Sequence, residues 1–413
     1  MKNHAKREIA AIVAAAICAL LASCPDPSGY SGPQSVELAD TGLPVVNIYT
    51  KNAKGITSKE TYVKTDIYIT SDNPDHSLAR NGLKDEIRGR GNATWKYPKK
   101  PYRIRFAEKV SLFGLEPARN WVLLAEYRSP TMMLNAIALE LGKVFGLPFT
   151  NHYVHVDVVL NGNYQGTYLL TEHMQVEKGR VDIDKNQGFL VEMDRLYDEE
   201  PKFRTARMKL PVMVKSPEGG DYAFVKESIN SLEDALLAPG FPESGYRDLI
   251  DMDTFVDYIL INDILMNWEL QAPASVYMYK DSGGKISMGP LWDFDCGFGY
   301  EDDIFSFFRK YTGRMPNFPD RDGWEGQPFF QKFFDDPVFM ARYHARWNEM
   351  KGDIIPGMGT FISDMQDKLR SSAEMNARVW YYWKGNYGYN NEAEKLKAWW
   401  GQRTSYLDGE INK

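Results

Sequence analysis

Alternating apolar and polar residues divide the first half of the chain into short strands. Residues 62–70 place Val63, Thr65, Ile67 and Ile69 on one face, which is the period of two typical of a half-buried strand. The Asn161-Gly162 pair between two further alternating runs predicts a two-residue hairpin turn. The other predicted strands cover residues 43–50, 102–106, 121–126, 188–194 and 212–215.

A helical period dominates the second half of the chain. We predict helices over residues 253–266, 329–334, 361–369 and 392–411, with a break at Pro356-Gly357. One earlier helix is also predicted. Ser129 would be its N-cap, Pro130 its first residue and Gly146 its end. The chain should therefore be an α+β protein, with its strands concentrated before its helices.

Composition excludes some functions and leaves others open. The 413 residues are 43% hydrophobic and 25% charged, with a formal net charge of -7, which is an ordinary globular balance. Net acidity makes a nucleic-acid-binding role unfavourable. Of three cysteines, Cys18 and Cys24 lie in the amino-terminal segment, so we expect Cys296 to be unpaired and packed as a small apolar residue.

The amino terminus has the pattern of an export signal. Lys2, Lys6 and Arg7 precede an apolar run over residues 9–23. This apolar run is followed by Cys24 in the sequence Leu-Ala-Ser-Cys, which resembles the lipobox of bacterial lipoproteins. We predict a signal peptide over 1–23, lipid attachment at Cys24 and a tether over 24–40. The alternative is an ordinary secretory signal that is cut nearby.

These features predict where the protein resides. A lipid-anchored chain would lie in the bacterial cell envelope, exposed outside the cytoplasm on the outer membrane or cell surface. Its expected partners are the membrane, through the anchor, and exported or surface proteins. No nucleic acid is expected.

Candidate chemistry begins with two carboxylates in the stretch Trp-Asp-Phe-Asp, at Asp293 and Asp295. Two residues apart on an extended chain, they would share one face. Like charges this close favour a bound divalent cation with oxygen ligands. The alternative is a strand end whose aspartates cap a turn.

A basic stretch over residues 87–106 offers complementary charge. Glycine-punctuated turns with cationic neighbours suit phosphate groups, although an exposed basic hairpin is the alternative. Glu172 ends a predicted strand and is either a site residue or a solvated strand end. The candidate phosphate-binding residues in the basic stretch are Arg88, Arg90, Asn92, Lys100, Arg103 and Arg105.

The order of the elements around these residues is informative. A helix is followed by a loop containing Glu269, then by a hairpin over residues 276–288, then by Asp293. Protein kinases place their catalytic-loop acid, hairpin and metal-binding aspartate in the same order. Phosphoryl transfer needs a carboxylate to orient the hydroxyl and cations to neutralise the phosphate.

These motifs together resemble the spore-coat protein H (CotH) kinase family over about residues 43–407. The motifs are RGRGNATWKYPKKPYRIRF, WVLLAEYRSPTMMLNAIALEL, NGNYQGTYLLTEHM, GFLVEMD and GPLWDFDCGFG. The resemblance implies an atypical protein-kinase-like fold over residues 41–410. Its β-rich N-terminal lobe would cover about 41–190, and its more helical C-terminal lobe about 220–410.

The resemblance also implies an activity and its cofactors. It implies transfer of the ATP γ-phosphoryl group to Ser/Thr hydroxyls with Mg²⁺ or another divalent cation. Asp293 would bind the metal with help from Asp295, the basic stretch would approach the phosphates, and Glu172 would lie near the nucleotide.

The loop that follows the predicted helix over residues 253–266 departs from the family pattern. Glu269 stands where active members have an aspartate, and Ala274 or Ser275 stands where they have an asparagine. Glu269 is the candidate base despite its extra methylene. A catalytically impaired surface module that binds a protein or glycan is therefore the main alternative. A hydrolase using Glu269 and Asp293 as paired acids is a third.

Overall fold

A closed barrel of seven strands forms the first part of the molecule. The computed structural model describes residues 37–301, 307–315, 324–380 and 388–413. Around the barrel the strand order is β1-β2-β3-β4-β5-β7-β6; β1 pairs with β6 in parallel and the other pairs are antiparallel. The strands are β1 (Val45–Thr50), β2 (Val63–Thr70), β3 (Leu78–Gly89), β4 (Tyr102–Val110), β5 (Ala118–Leu124), β6 (Tyr153–Leu160) and β7 (Asn163–Glu172).

The period of two explains how the barrel closes around a core. Ile67 and Ile69 from β2 point inward with Ile104 and Phe106 from β4, and all four are buried. The intervening basic residues of β4 face outward. One helix, α1 (Leu134–Phe145), lies between β5 and β6 in the chain.

A second, antiparallel sheet follows, in the order β12-β11-β8-β10-β9. Every residue of its central strand β8 is buried, so both faces of that strand are covered. Phe189, Val191 and Met193 pack into the main core, whereas Leu190 and Glu192 face the other way. The strands are β8 (Phe189–Met193), β9 (Lys202–Arg204), β10 (Pro211–Ser216), β11 (Val276–Lys280) and β12 (Ser287–Met288).

Helices form most of the remaining described structure. The longest, α6, runs for 43 residues and packs against α4, α7 and barrel strand β7. In the described residues, no helix combines the length and apolarity that crossing a bilayer requires. The helices after α1 are α2 (Ala223–Leu236), α3 (Tyr246–Leu249), α4 (Met252–Ile264), α5 (Gln327–Phe334), α6 (Pro337–Val379) and α7 (Tyr389–Ile411).

The mixed α and β fold class is confirmed, and several element predictions are not. Helix α1 begins at Leu134 rather than at Ser129-Pro130, because Met132 has a φ of +56° that a helix cannot accommodate. Helix α6 continues through Pro356, so the predicted break there is wrong. Helix α2 was not predicted. The kinase-like division into two lobes remains a prediction, and Cys24 lies outside the described residues.

Candidate functional site

Side chains from two separate segments of the chain form an acidic cluster. Glu269 lies on a 3-10 turn at Trp268–Leu270, just after α4, and Asp295 and Cys296 lie in the turn after β12. One ligand atom from each of these three residues lies within 4.8 Å of the others. Asp293 adjoins them, since the charges of Asp295 and Glu269 both act on its carboxyl group. We refer to Glu269, Asp293, Asp295 and Cys296 as the acidic cluster.

Asn135 of α1 ties the acidic cluster to the barrel side of the molecule. Its Oδ1 accepts a hydrogen bond from the Phe294 backbone N–H at 2.9 Å. Its Nδ2 donates to Glu126 Oε1 at 2.7 Å. The Phe298 N–H also donates to the Leu265 carbonyl at 2.6 Å, which joins the turn to the end of α4.

A buried charge network anchors the end of α4, from which the Glu269 loop emerges. Asp263 accepts hydrogen bonds from Arg403 Nη2 at 2.9 Å, Arg314 Nε at 3.2 Å and the Tyr343 hydroxyl at 2.6 Å. Asp263 and Arg403 are fully buried. Helices α6 and α7 therefore hold the loop that positions Glu269.

Left-handed backbone conformations concentrate around the acidic cluster. Met266, Ser275, Asp293 and Phe298 have φ values of +53°, +52°, +60° and +59°. Each such residue costs on the order of 1–3 kcal/mol, which tertiary contacts must offset, and such residues tend to mark functional sites. The conformation of Asp293 also corrects the prediction that Asp293 and Asp295 share one face of an extended strand. The regular strand ends at Met288, and the turn rather than strand alternation brings the two carboxylates together.

The acidic cluster has the electrostatics of a cation site. Burial raises the pKa of Glu269 to about 8, with a further rise from Asp295, while Arg195 and Cys296 act in the opposite direction. Burial, Asp295 and Glu269 raise the pKa of Asp293 well above its ordinary value, and Arg90 opposes this. Carboxyl groups that repel one another in a dry setting gain most from a positive charge among them.

The donor set fits a hard divalent cation. Oε2 of Glu269 is buried and has no hydrogen-bond partner among the described residues, which leaves a carboxylate oxygen free to bind a metal. Burial raises the pKa of the Cys296 thiol well above its ordinary value, so it stays protonated and suits a hard cation poorly. Glu269 and Asp295 thus have carboxylate oxygens close enough to share Mg²⁺, and Asp293, on which both of their charges act, adjoins them.

Arg90 is the residue of the basic stretch that reaches the acidic cluster. Its positive charge acts on Asp293, and its guanidinium lies over the Trp292 ring at 5.3 Å. The charges of Tyr277 on β11 and Glu192 on β8 act in turn on Arg90. These two residues lie on the face of the sheet that points away from the main core. The charge of Arg90 therefore acts on Asp293, and phosphate binding by Arg90 stays a prediction.

The other cationic candidates are mostly engaged with neighbouring side chains. Arg88 lies over the Tyr62 ring at 5.1 Å, and Arg105 over the same ring at 3.8 Å. Arg105 also pairs with Glu86. Arg103 donates to Asn120 Oδ1 at 2.9 Å. Because β3 and β4 pair Arg88 with Arg103, these residues form one basic row on the outside of the barrel that ends at Arg90.

Two candidates point away from this row. Lys100 Nζ donates to the Trp95 carbonyl at 2.8 Å and lies over its ring. Asn92 is exposed and accepts a hydrogen bond from Lys59 Nζ at 2.8 Å. The structure does not bring either residue to the acidic cluster.

Packing accounts for the first glycine of the basic turn. The Gly89 N–H donates to the Ser58 carbonyl at 2.9 Å, so this amide is not free for a phosphate. A Cβ at position 89 would lie 2.3 Å from the Trp95 ring. Glycine is required here because the indole lies directly against the backbone.

Glu172 lines a separate cavity of about 310 Å³. Its carboxylate accepts hydrogen bonds from the His152 backbone N–H at 2.7 Å and from His152 Nδ1 at 2.9 Å. Arg180 and Asn151 line the same cavity. A larger cavity, of about 540 Å³, contains none of the acidic cluster and is lined by Arg247, Ile250, Asp251, Met252, Asp253, Lys285 and Ser287.

Two acidic residues, one in β8 and one directly after it, lie near the site and were not predicted from the sequence. Glu192 pairs with Lys215 at 2.7 Å, and Asp194 Oδ2 accepts from the Ser275 backbone N–H at 3.2 Å. Burial raises the pKa of Asp194 to about 6, with a contribution from Glu192. A signal was available, because two acids two residues apart end an otherwise apolar strand. Arg128, which contacts Cys296, carried no such signal.

Comparison with known proteins agrees with this geometry. The family described as CotH kinase protein matches residues 87–407 of the chain. No curated protein matches it. The matched residues make up most of the chain. The chain belongs to the CotH kinase protein family.

Proposed function

We propose that this protein is a surface kinase of the CotH type, which transfers the ATP γ-phosphoryl group to Ser/Thr hydroxyls of exported proteins. The observation that carries the proposal is the grouping of Glu269 with Asp295, whose ligand atoms lie within 4.8 Å, next to Asp293, on which the charge of Arg90 from the barrel also acts. Phosphoryl transfer depends on this combination of carboxylates and cations more than on covalent chemistry by the protein.

Each residue has a defined role in the proposal. Asp293 and Asp295 would hold Mg²⁺ or another divalent cation, whose chemistry is to neutralise phosphate oxygens. Arg90 would bind phosphate from the Asp293 side. Glu269 would orient the acceptor hydroxyl and accept its proton. Without a bound cation, burial and the charge of Asp295 keep the Glu269 carboxyl protonated at neutral pH. A cation bound beside Glu269 would favour its ionised form.

The activity is tested with the full chain purified in detergent. Wild type should incorporate labelled phosphate from ATP into an acceptor protein when Mg²⁺ or Mn²⁺ is present. Asp293→Ala should abolish incorporation, because it removes a metal ligand and the partner of Arg90. Absence of incorporation by wild type with several acceptor proteins and both metals would contradict the proposal.

A catalytically impaired, pseudokinase-like surface module is the second candidate. Neither Ala274 nor Ser275 has the side-chain amide of the asparagine that is expected at this position in active relatives. Instead, the carboxylate of Asp194 lies against the Ser275 backbone. Thermal unfolding with ATP and metal separates the two functions. A ligand at 100 times its Kd adds about 2.7 kcal/mol, so a shift without phosphate transfer identifies the pseudokinase.

The proposed location is the bacterial cell envelope, with lipid attached at Cys24 and the kinase region exposed outside the cytoplasm. The proposal is supported by the Leu-Ala-Ser-Cys sequence and the basic start of the chain. Membrane fractionation of Cys24→Ser is the check. Wild type should partition with membranes, and continued membrane retention of the variant would contradict the lipid anchor.

A further inference from the structure

Arg128 is a buried cation beside the acidic cluster. It lies in the segment between β5 and α1 and is 6% exposed. Its Nη1 lies 3.9 Å from Cys296 Sγ, and its guanidinium covers the Tyr300 ring at 4.2 Å. The charge of Asp295 also acts on it. Arg128 therefore approaches the acidic cluster from the Asp295–Cys296 side, whereas Arg90 approaches at Asp293.

The hydrogen bonding of Arg128 is incomplete in a specific way. Nε and Nη2 are both buried and make no hydrogen bond of normal geometry with the described residues, although the Tyr97 hydroxyl lies close enough to Arg128 for the guanidinium to lower the pKa of Tyr97, which burial raises. These two nitrogens form one edge of the guanidinium, with parallel N–H bonds that match two oxygens of a carboxylate or phosphate. Buried donors without partners are unfavourable, so their persistence requires an explanation.

Neighbouring residues add to this set of free groups. The hydroxyl of Thr131 is also buried without a hydrogen-bond partner in the described part of the chain, and the Ser129 hydroxyl has only Glu126 as a neighbour that it affects. Glu269 Oε2 across the cluster, like the Thr131 hydroxyl, is buried without a partner among the described residues. The segment Arg128–Thr131 therefore has several such atoms within four residues, and others lie on Arg180, Ser244 and Arg314.

Comparison with a structural arginine shows why packing alone does not account for Arg128. Arg403 is also fully buried, but it donates to the carbonyls of Ile264, Tyr311 and Gly313 and to Asp263. Arg314 and Arg180 each leave only Nη2 without a partner, whereas Arg128 leaves both Nε and Nη2. Arg128 instead keeps a complete two-donor edge open.

We propose that Arg128 binds two oxygens of the phosphoryl group being transferred, through Nε and Nη2. It is then a substrate-binding residue that acts from the Asp295 side of the cluster, complementary to Arg90 at Asp293. This inference rests on the proposed function, because a phosphate must enter the acidic cluster. The ligand class is a phosphate with at least two free oxygens, such as the terminal group of a nucleoside triphosphate.

Inorganic pyrophosphate with Mg²⁺ is the probe, since it carries the same phosphate oxygens without a nucleoside. Calorimetric titration of the full chain in detergent should show binding by wild type. Arg128→Gln should weaken it roughly 10- to 100-fold, because a charge-assisted two-donor contact is lost. Arg128→Lys should recover only part of the affinity, since lysine keeps the charge but not the paired donors.

Arg346→Gln is the matched control. Like Arg128, Arg346 lies over an aromatic ring, that of Phe145, but it is only partly buried and pairs with Asp257. This variant should bind pyrophosphate like wild type. Equal binding by wild type and both Arg128 variants would overturn the inference, as would absence of pyrophosphate binding by wild type. If Arg128→Gln does not fold, the comparison of wild type with Arg128→Lys decides the outcome.

The test separates this inference from the proposed kinase activity. Arg128-dependent pyrophosphate binding without phosphate transfer to any protein would support the role of Arg128 and contradict the kinase. In an active enzyme, loss of one positioned donor group should lower kcat/KM by about 100- to 1,000-fold. Phosphate transfer by Arg128→Gln at the wild-type rate would overturn the inference directly.

Discussion

Individual ionisable side chains in this protein behave as their surroundings dictate, and burial is the first cause. It raises the pKa of Glu126 to about 7 and that of Glu269 to about 8, and it lowers that of Lys99 to about 7. His152 is different, because hydrogen bonding to Glu172 has the larger effect on its ring. Residue type alone does not distinguish these cases.

The His152–Glu172 contact predicts a measurable titration. Glu172 accepts from the imidazole and raises the pKa of His152 above 6.5. Its stabilising contribution is therefore complete below pH 6.5 and is lost as the pH rises through the folded-state pKa. Titration by NMR should show the His152 pKa falling toward 6.5 in Glu172→Gln. His76, which does not contact Glu172, is the internal control. An unchanged His152 pKa would contradict the assignment.

At the scale of single elements, local pattern succeeded where local contacts dominate. The hairpin at Asn161-Gly162 and the alternating strands form as predicted because side-chain alternation and turn chemistry are local. Helix α6 passes through Pro356, although an interior proline costs about 3 kcal/mol. Packing against α7, where Trp400 donates to the Ile355 carbonyl at 3.0 Å, and against the barrel offsets that cost.

Two glycine substitutions should have opposite effects on stability. Gly299 follows the acidic cluster with a φ of +64°, and a Cβ there would lie 2.0 Å from the Lys310 carbonyl oxygen. Gly299→Ala should therefore destabilise the protein by more than about 1 kcal/mol. Gly401 lies inside α7 with open space around it, so Gly401→Ala should stabilise it by roughly 0.5–1 kcal/mol. Urea unfolding measures both, and a neutral Gly299→Ala would contradict the close contact.

At the scale of the whole molecule, buried polar contacts join the barrel to the long helix. Lys99 Nζ hydrogen-bonds to the Thr167 carbonyl and, at 2.9 Å, to Asn376 Oδ1 on α6. Asp157 on β6 accepts from Ser372 of α6 at 2.8 Å. The two contacts with α6 join residues more than 200 positions apart in sequence, so they exist only when both parts of the fold are in place.

Lys99 should give the protein a characteristic pH dependence. Its folded-state pKa is about 7, whereas an unfolded lysine has a pKa of about 10.4. Between these values the unfolded chain binds a proton that the native state has released, so stability rises with pH. The free energy of unfolding of wild type should increase relative to Lys99→Met by on the order of 1 kcal/mol per pH unit.

Urea unfolding at pH 7, 8 and 9 provides the test of this pH dependence. Lys351→Met, which removes a partly exposed lysine from the ion pair with Asp408 on α7, controls for loss of charge. Parallel pH profiles for wild type and Lys99→Met would show that Lys99 is not the source.

The amino-acid sequence by itself determined most strands, although not β3 or β9, several helices and the family resemblance. It also gave the pairing of Asp293 with a distant arginine as a hypothesis. It could do so because alternation, turn residues and motif order are properties of neighbouring residues. Tertiary structure alone decided which residues meet. Arg90 reaches the acidic cluster and Lys100 does not, Asp293 adopts a left-handed turn, and Arg128 is buried with an open donor edge. These outcomes depend on contacts between segments far apart in the chain, where burial and charge are set jointly by residues that no local pattern connects.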